Sequence, residues 1–171
     1  MRNYLLVDGY NVINGWSDLK EIAKESLEEA REKLIEILVN YRSFTGETVV
    51  VVFDAHLVKS TNLKHIQTKG VDVVFTKEHQ TADSYIEKRV EELTKDRRNR
   101  VRVATSDWAE QQVVLGSGAT RISVRELKIE VEKIGNDITK KTETMKKNRS
   151  TLEERIDGSV AEILEKWRRN K

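Results

Sequence analysis

The sequence predicts an α/β protein in which helices flank a mostly parallel sheet. Short apolar runs alternate with longer amphipathic stretches from Tyr4 to Ser123, an order typical of parallel strands joined by helices. The short runs are rich in β-branched residues, as buried strands are, and the stretches between them have helical spacing. No further strand-like run follows Ser123, so we expect a helical extension there.

Five apolar runs are predicted to be strands. They are Tyr4–Val7, Thr48–Phe53, Val71–Phe75, Val101–Ala104 and a short one at Thr120–Ser123. The run at Thr48–Phe53 (TVVVVF) is continuously apolar, as expected of a central strand that is covered on both faces. The polar, basic stretch 56–70 is expected to be a loop with some helix.

The helical stretches carry their own start and stop signals. The first opens with the capping box Ser26-x-x-Glu29 and stops at Thr45-Gly46. The last third shows two narrow apolar stripes, the second capped by Ser150-x-x-Glu153, and this pattern predicts a helix hairpin. We therefore expect a sheet domain over residues 1–135 and a helical extension over 136–171, packed on the domain or next to it.

Composition excludes several classes of protein. The chain has no cysteine, which excludes disulfides, zinc–thiolate sites and thiol nucleophiles. It carries 31 basic and 29 acidic side chains, a balance too even for nucleic-acid binding by charge alone. The N-terminus has no apolar signal core, and no apolar run approaches the ~18 residues that span a bilayer. We expect a cytoplasmic protein without a membrane partner.

Four aspartates occur where predicted strands end or a predicted helix begins. Asp8, Asp54 and Asp107 follow strands, and Asp83 opens a helix. Because ligand sites in parallel sheets lie beyond the carboxyl ends of the strands, these carboxylates could converge. Their mutual repulsion opposes folding, and a bound Mg²⁺ or Mn²⁺ would reverse that penalty and activate a water for attack on phosphorus. The plainer alternative for each residue is a helix N-cap or a turn.

Polar neighbours of these aspartates have two readings. Asn11 could bind a metal-bound water or a phosphate, or satisfy the backbone of its turn. Thr105 and Ser106 could donate hydrogen bonds to a phosphate, although such hydroxyls are more often caps. Tyr10, Trp16 and Trp108 could stack on unpaired bases, although aromatic residues at such positions more often pack in the core.

Basic residues near the third strand could form a positive rim for RNA, because cations position the phosphate backbone, and the arginines before the fourth strand form a second small cluster that could do the same. A solvated surface loop is the alternative. The segment Lys140–Arg149 could likewise contact ribosomal RNA or be an ordinary helix exterior. The candidate RNA-binding residues are Lys59, Lys64, Lys69, Lys77, Arg97 and Arg98.

Several motifs together resemble the YacP-like NYN family of the PIN-like nuclease superfamily. The resemblance covers nearly the whole chain, and the combination is specific, whereas a lone DGYN would be weak. The segments that carry it are Val7–Ile13 (VDGYNVI), Val52–His56 (VFDAH), Phe75–Glu78 with Thr81–Asp83, Ala104–Asp107 (ATSD), Gly116–Ala119, Arg125–Leu127 and Glu165–Arg169.

The resemblance implies a PIN-like fold and a metal-dependent endoribonuclease that cleaves messenger RNA in association with the ribosome. Asp8, Asp83 and Asp107 match the metal-binding acids of the family, and Asn11 matches the polar residue that supports them. Asp54 matches a family segment and is a weaker catalytic candidate. The expected cofactor is Mg²⁺ or Mn²⁺, and the expected partners are RNA and the ribosome, not DNA.

Two other classes of protein compete with this reading. A phospho-accepting receiver domain needs paired acids after the first strand and a lysine after the fifth, and the segment from Gly116 to Arg125 has no lysine. A non-catalytic RNA-binding or ribosome-binding module of the same fold would share every motif. The sequence leaves open the RNA specificity, the number of metal ions and the oligomeric state.

Overall fold

The computed structural model describes residues 1–55, 65–107, 112 and 116–169, without the side chains of 151–157, 159 and 161. The predicted sites Lys59 and Lys64, together with Trp108, lie outside the described residues. The chain divides into two compact units, Met1–Glu132 and Lys133–Lys171. No helix among the described residues is both long enough and apolar enough to cross a membrane.

Six strands and five helices make up the described part of the chain. The strands are β1 (Arg2–Asp8), β2 (Thr48–Phe53), β3 (His65–Thr68), β4 (Val71–Phe75), β5 (Asn99–Ala104) and β6 (Thr120–Ile122). The helices are α1 (Gly9–Gly15), α2 (Ser17–Glu25), α3 (Leu27–Thr45), α4 (Ala82–Thr94) and α5 (Val124–Arg169).

The strands form one sheet in the order β3-β4-β2-β1-β5-β6. All neighbours are parallel except β3 and β4, which are antiparallel, so the predicted mostly parallel α/β fold is confirmed. After β1 the chain first builds β2 and β4 on one side and then β5 and β6 on the other. This reversal creates a crevice at the carboxyl ends of β1 and β5, where parallel sheets bind ligands.

Helices cover the buried strands. Val50 and Val52 of β2 pack in one cluster with Ile86 and Val90 of α4, and the intervening Val51 is also completely buried. Because successive side chains of a strand point to opposite faces, both faces of the central strands are covered, as the TVVVVF run predicted.

The boundaries of α3 agree with the sequence signals. The Ser26 hydroxyl accepts a hydrogen bond from the Glu29 backbone N–H at 3.2 Å, and Gly46 ends the helix with a left-handed φ of 73°. The sequence pattern does not reveal α1 and α2, because helices of seven and nine residues give too few apolar repeats to define a period. It also does not reveal β3, an edge strand with alternating polar residues that was expected to be loop.

The predicted helix hairpin in the last third is wrong, because α5 is one continuous helix of 46 residues. Its true N-terminal box is at Ser123, whose hydroxyl accepts the Glu126 N–H at 3.1 Å while the Glu126 carboxylate accepts the Ser123 N–H at 2.7 Å. The Ser150 hydroxyl instead donates to the Lys147 carbonyl at 3.0 Å, as serines inside helices do.

A partly buried polar cluster joins the sheet to its helices. The Arg102 guanidinium on β5 donates to the Tyr41 hydroxyl at 2.6 Å and to the carboxylates of Glu47 and Glu130 at 2.8 and 3.0 Å. The two carboxylates help to hold the pKa of Arg102 above its ordinary value, against the opposing effect of burial. One cation therefore neutralises two acids from different elements.

Replacing Arg102 with methionine is expected to lower the free energy of unfolding by about 2 kcal/mol, because it leaves two carboxylates without their cation. Urea denaturation measures the change. The exposed Arg100→Met is the matched control and should shift stability by less than about 0.5 kcal/mol. Equal effects of the two substitutions would contradict the role assigned to Arg102.

Candidate active site

The four predicted aspartates lie around one open pocket of about 380 Å³ at the carboxyl edge of the sheet. The end of β1 and the segments that follow β2 and β5 supply three of them, and the first turn of α4 supplies the fourth. The pocket is lined by Asp8, Tyr10, Asn11, Asn14, Gly15, Asp54, Asp83, Ser106 and Asp107.

Asp8 is the most buried of these acids, with 5% of its surface exposed. Its two carboxylate oxygens accept the backbone N–H and the side-chain amide of Asn11 at 3.2 and 3.3 Å, so it also caps α1. Burial is the main cause that raises the pKa of Asp8 to about 6; the charges of Asp83 and Asp54 raise it further, and the Asn11 hydrogen bonds lower it. The fold thus holds a carboxylate where its negative charge is disfavoured.

Asn11 connects the ends of β1 and β5. Its amide nitrogen donates to Asp8, and its amide oxygen accepts both the backbone N–H and the hydroxyl of Ser106. Thr105 is completely buried, and its hydroxyl accepts the Asp107 N–H at 3.0 Å. Thr105 and Asn11 therefore shape the backbone that carries the acids, in agreement with the plainer reading of Thr105.

Asp54 fixes the start of α4. One of its carboxylate oxygens accepts the Ala82 N–H at 2.7 Å, which ties the end of β2 to the turn that carries Asp83. The N-cap of α4 is Thr81, whose hydroxyl accepts the Ser84 N–H at 3.2 Å. The capping alternative for Asp83 is therefore wrong: Asp83 is an exposed residue of the first turn that lines the pocket.

Most of the predicted basic rim does not lie at the pocket. Lys77 follows β4 at the same edge of the sheet as the aspartates. Lys69, in the turn between β3 and β4, and Arg97 and Arg98, before β5, precede strands and so lie at the opposite edge. Arg98 also forms an ion pair with Asp96 at 2.9 Å.

Two residues of the pocket, Asn14 and Gly15, were not predicted from the sequence. Asn14 follows Asn11 by three residues and Asn11 follows Asp8 by three, and this spacing within a recognised helix would have placed all three on one face.

The two described aromatic residues are largely buried, although Tyr10 also lines the pocket. Tyr10 is 8% exposed, its ring lies 5.1 Å from that of Phe53, and its hydroxyl accepts from Arg31 at 3.1 Å. Trp16 is 2% exposed and donates from its indole nitrogen to the Val124 carbonyl at 2.7 Å. The base-stacking alternative is therefore wrong for Trp16, whereas Tyr10 lines the pocket with only 8% of its surface exposed.

The donor chemistry of the pocket suits a hard divalent cation. Its acids offer only oxygen ligands, which Mg²⁺ and Mn²⁺ prefer, and Mg²⁺ is commonly held by one or two carboxylates with several waters retained. In the part of the chain that the structure describes, no three acidic or histidine side chains form a ready-made ligand set. An ion held through one or two carboxylates and water fits this arrangement, and a fully protein-ligated ion does not.

An acidic pocket at the switch point of such a sheet agrees with a PIN-like domain of the nuclease type. The sequence profile of the YacP-like NYN domain matches residues 5–169, and the chain belongs to this family. The resemblance drawn from the motifs is thereby confirmed.

Known relatives extend this relationship along the chain. The chain is 44% identical to the YacP protein of Bacillus subtilis (strain 168) over 165 residues, which cover 96% of each protein. The crystal structure of Rae1 (YacP) from Bacillus subtilis superimposes with a TM-score of 0.76 and 43% identity, covering 97% of this chain and 94% of that one. A tryptophan-to-leucine variant of Rae1 gives a TM-score of 0.74 and 43% identity over 84% of this chain and 83% of the other.

Proposed function

We propose that this protein is a metal-dependent endoribonuclease that hydrolyses RNA phosphodiester bonds and cleaves messenger RNA on the translating ribosome. The observation that carries the proposal is the convergence of Asp8, Asp54, Asp83 and Asp107 on one open pocket. The repulsion among four acids at one edge opposes folding. A bound catalytic cation would offset that repulsion.

Asp8, Asp83 and Asp107 are the residues that would hold Mg²⁺ or Mn²⁺, one or two of them directly and the rest through waters that the ion retains. When bound, the ion would lower the pKa of a water and neutralise charge on the phosphate. The protein supplies the positions of the acids: Asn11 holds Asp8 against Ser106, and Asp54 holds the start of α4. The openness of the pocket suits a polymer that passes across it.

The proposal of a ribosome-held substrate rests on the family resemblance and on the distribution of charge. Only Lys77 among the described candidate cations lies at the edge with the pocket, and the whole chain has a net charge of +2. Since cations provide most of the affinity for free nucleic acid, naked RNA is expected to be a poor substrate. A ribosome would hold the messenger RNA in place, so the protein would not need many cations of its own to bind it.

The test is cleavage of a translated messenger RNA, with and without ribosomes, in Mg²⁺ or Mn²⁺ and in chelator. We expect discrete cuts in the complete reaction, loss of these cuts in chelator, and much slower cutting of free RNA. Cuts that persist in chelator would contradict the role of the metal. Equal rates with and without ribosomes would contradict the proposed substrate.

The two substitutions Asp54→Ala and Asp54→Asn separate positioning from metal binding. Asp54→Ala removes the acceptor for the Ala82 N–H and is expected to slow cleavage by roughly 10- to 100-fold, the range found for residues that orient metal ligands. Asp54→Asn keeps an acceptor oxygen and should remain within a few-fold of the parent rate. An equally large loss in Asp54→Asn would make Asp54 a metal ligand.

A second candidate is a non-catalytic RNA-binding module of the same fold. The absence of a ready-made three-ligand set among the described residues favours it. It predicts that the parent protein and Asp83→Asn bind ribosomes equally and give identical RNA patterns.

A further inference from the structure

Asn14 lines the acidic pocket with an amide that the fold itself does not use. It lies one turn beyond Asn11 on α1, and residues three apart are neighbours on a helix surface. The Asn11 amide is engaged by Asp8 and Ser106. The exposed Asn14 amide, in contrast, has no hydrogen-bond partner among the residues that the structure describes. Its nitrogen and oxygen are therefore available to a molecule in the pocket.

Both ends of α1 are fixed, which holds the backbone of Asn14 in place. At the start, the Asp8 carboxylate caps the helix by accepting a backbone N–H at 3.2 Å. At the end, the buried indole of Trp16 donates to the Val124 carbonyl at 2.7 Å, and a Cβ atom at Gly15 would lie 2.7 Å from a methyl group of Val124. A contact between this wall of the pocket and a bound molecule would therefore cost little ordering of the backbone.

The charge of the pocket determines which part of RNA this amide can hold. Every charged side chain that lines the pocket is an aspartate, and no lysine or arginine of the described chain lines it. Such a lining repels a phosphate except where a cation lies between them, but it does not repel a neutral sugar. An amide both donates and accepts hydrogen bonds, and so does the 2′-hydroxyl of a ribose.

We propose that Asn14 contacts the 2′-hydroxyl of a ribose next to the scissile phosphate and thereby selects RNA over DNA. This inference rests on the proposed nuclease function and adds to it the residue that recognises the sugar. Because Asn14 borders the same pocket as the acids that would hold the ion, it can contact a sugar that adjoins the phosphate without being a ligand of the ion.

Cleavage of synthetic messenger RNAs on the ribosome tests this contact. The nucleotides on the two sides of the cut are replaced by 2′-deoxynucleotides, one at a time. For the parent and for Asn14→Ala, the rate with ribose is divided by the rate with deoxyribose. We expect a ratio of roughly 3 to 10 for the parent at one of the two positions, the effect of one hydrogen bond between neutral groups, and a ratio near 1 for Asn14→Ala. Any effect of the sugar on the ribosome is common to both proteins and cancels in this comparison.

Asn40→Ala is the matched control, because Asn40 is another exposed helical asparagine and does not line this pocket. Its ratio should equal that of the parent. Alanine favours a helix more than asparagine does, so both variants should melt no lower than the parent. Binding of Mn²⁺, measured as the concentration that raises the melting temperature halfway, should be the same in Asn14→Ala and the parent. A weaker affinity would make Asn14 a metal ligand and overturn the proposal.

The rates separate this inference from the nuclease function on which it rests. A parent that cuts the RNA while Asn14→Ala keeps the parent's ratio would overturn the sugar contact alone. A parent ratio near 1 at both positions would do the same. A parent that gives no cuts on any substrate would overturn the nuclease function, and the sugar contact with it.

Discussion

Replacing Asp83 with asparagine is expected to abolish cleavage of a translated messenger RNA, with at least a hundredfold loss of rate. The substitution preserves shape and removes one negative charge from the pocket. A hundredfold corresponds to about 3 kcal/mol of activation free energy, a reasonable effect for a lost metal ligand. Primer extension on the RNA, over a time course with saturating Mg²⁺ or Mn²⁺, measures the rate.

Glu78→Gln provides the matched control for this substitution. Glu78 follows β4 at the same edge of the sheet, is 91% exposed and does not line the pocket, so its loss changes the net charge equally. We expect its rate to stay within a few-fold of the parent. If Asp83→Asn cleaved as fast as Glu78→Gln, the acidic pocket would not be the catalytic centre.

Replacing Asp8 with asparagine is expected to stabilise the metal-free protein above pH 6, because burial disfavours the Asp8 charge. The folded-state pKa is raised from 3.8 to about 6, so the folded state retains the proton more strongly than the unfolded state does. The contribution of this group to stability therefore falls as pH rises from about 4 to about 6 and then stays constant. Two units of pKa correspond to about 3 kcal/mol, which is the upper limit of the gain.

Denaturation of both proteins in chelator, at pH values from 4 to 8, checks this prediction. The difference in unfolding free energy should be small near pH 4 and reach its full value above pH 6; a difference that is independent of pH would contradict it. Adding Mg²⁺ or Mn²⁺ should then raise the melting temperature of the parent more than that of Asp8→Asn, because a bound ion stabilises only the folded state that holds it.

The sheet was predictable because most of its strands are marked in the sequence by short apolar runs. The runs at Tyr4–Val7 and Thr48–Phe53 are apolar, the second is also rich in β-branched residues, and the order of elements implies parallel pairing. The prediction of a helix hairpin was wrong for a physical reason. Gly135 and the charged segment 140–149 weaken a helix without ending it. A glycine in a helix costs only about 1 kcal/mol, and side-chain patterns cannot show whether a weakened helix bends.

The four aspartates of the acidic pocket were predictable from the sequence, because the ends of parallel strands determine which carboxylates lie at the same edge of the sheet. The role of Asp54 was not, since its bond to the Ala82 N–H joins residues 28 positions apart. Arg97 and Arg98 were predicted to bind RNA as a second small basic cluster. They lie at the start of β5, however, and a strand separates its two ends by about 3.3 Å per residue.

The position of β1 has a consequence for how the protein is made. This first strand lies between β2 and β5, with Tyr4 paired to Thr48 on one side and to Val101 on the other. A nascent chain can form the first pairing early, but the second waits until β5 has left the exit tunnel. During that interval the edge of β1 that later pairs with β5 is unpaired. Slow, long-range strand pairing of this kind leaves a chain exposed to aggregation. A truncated chain that ends before β5 is therefore expected to bind chaperones and to lack the assembled pocket.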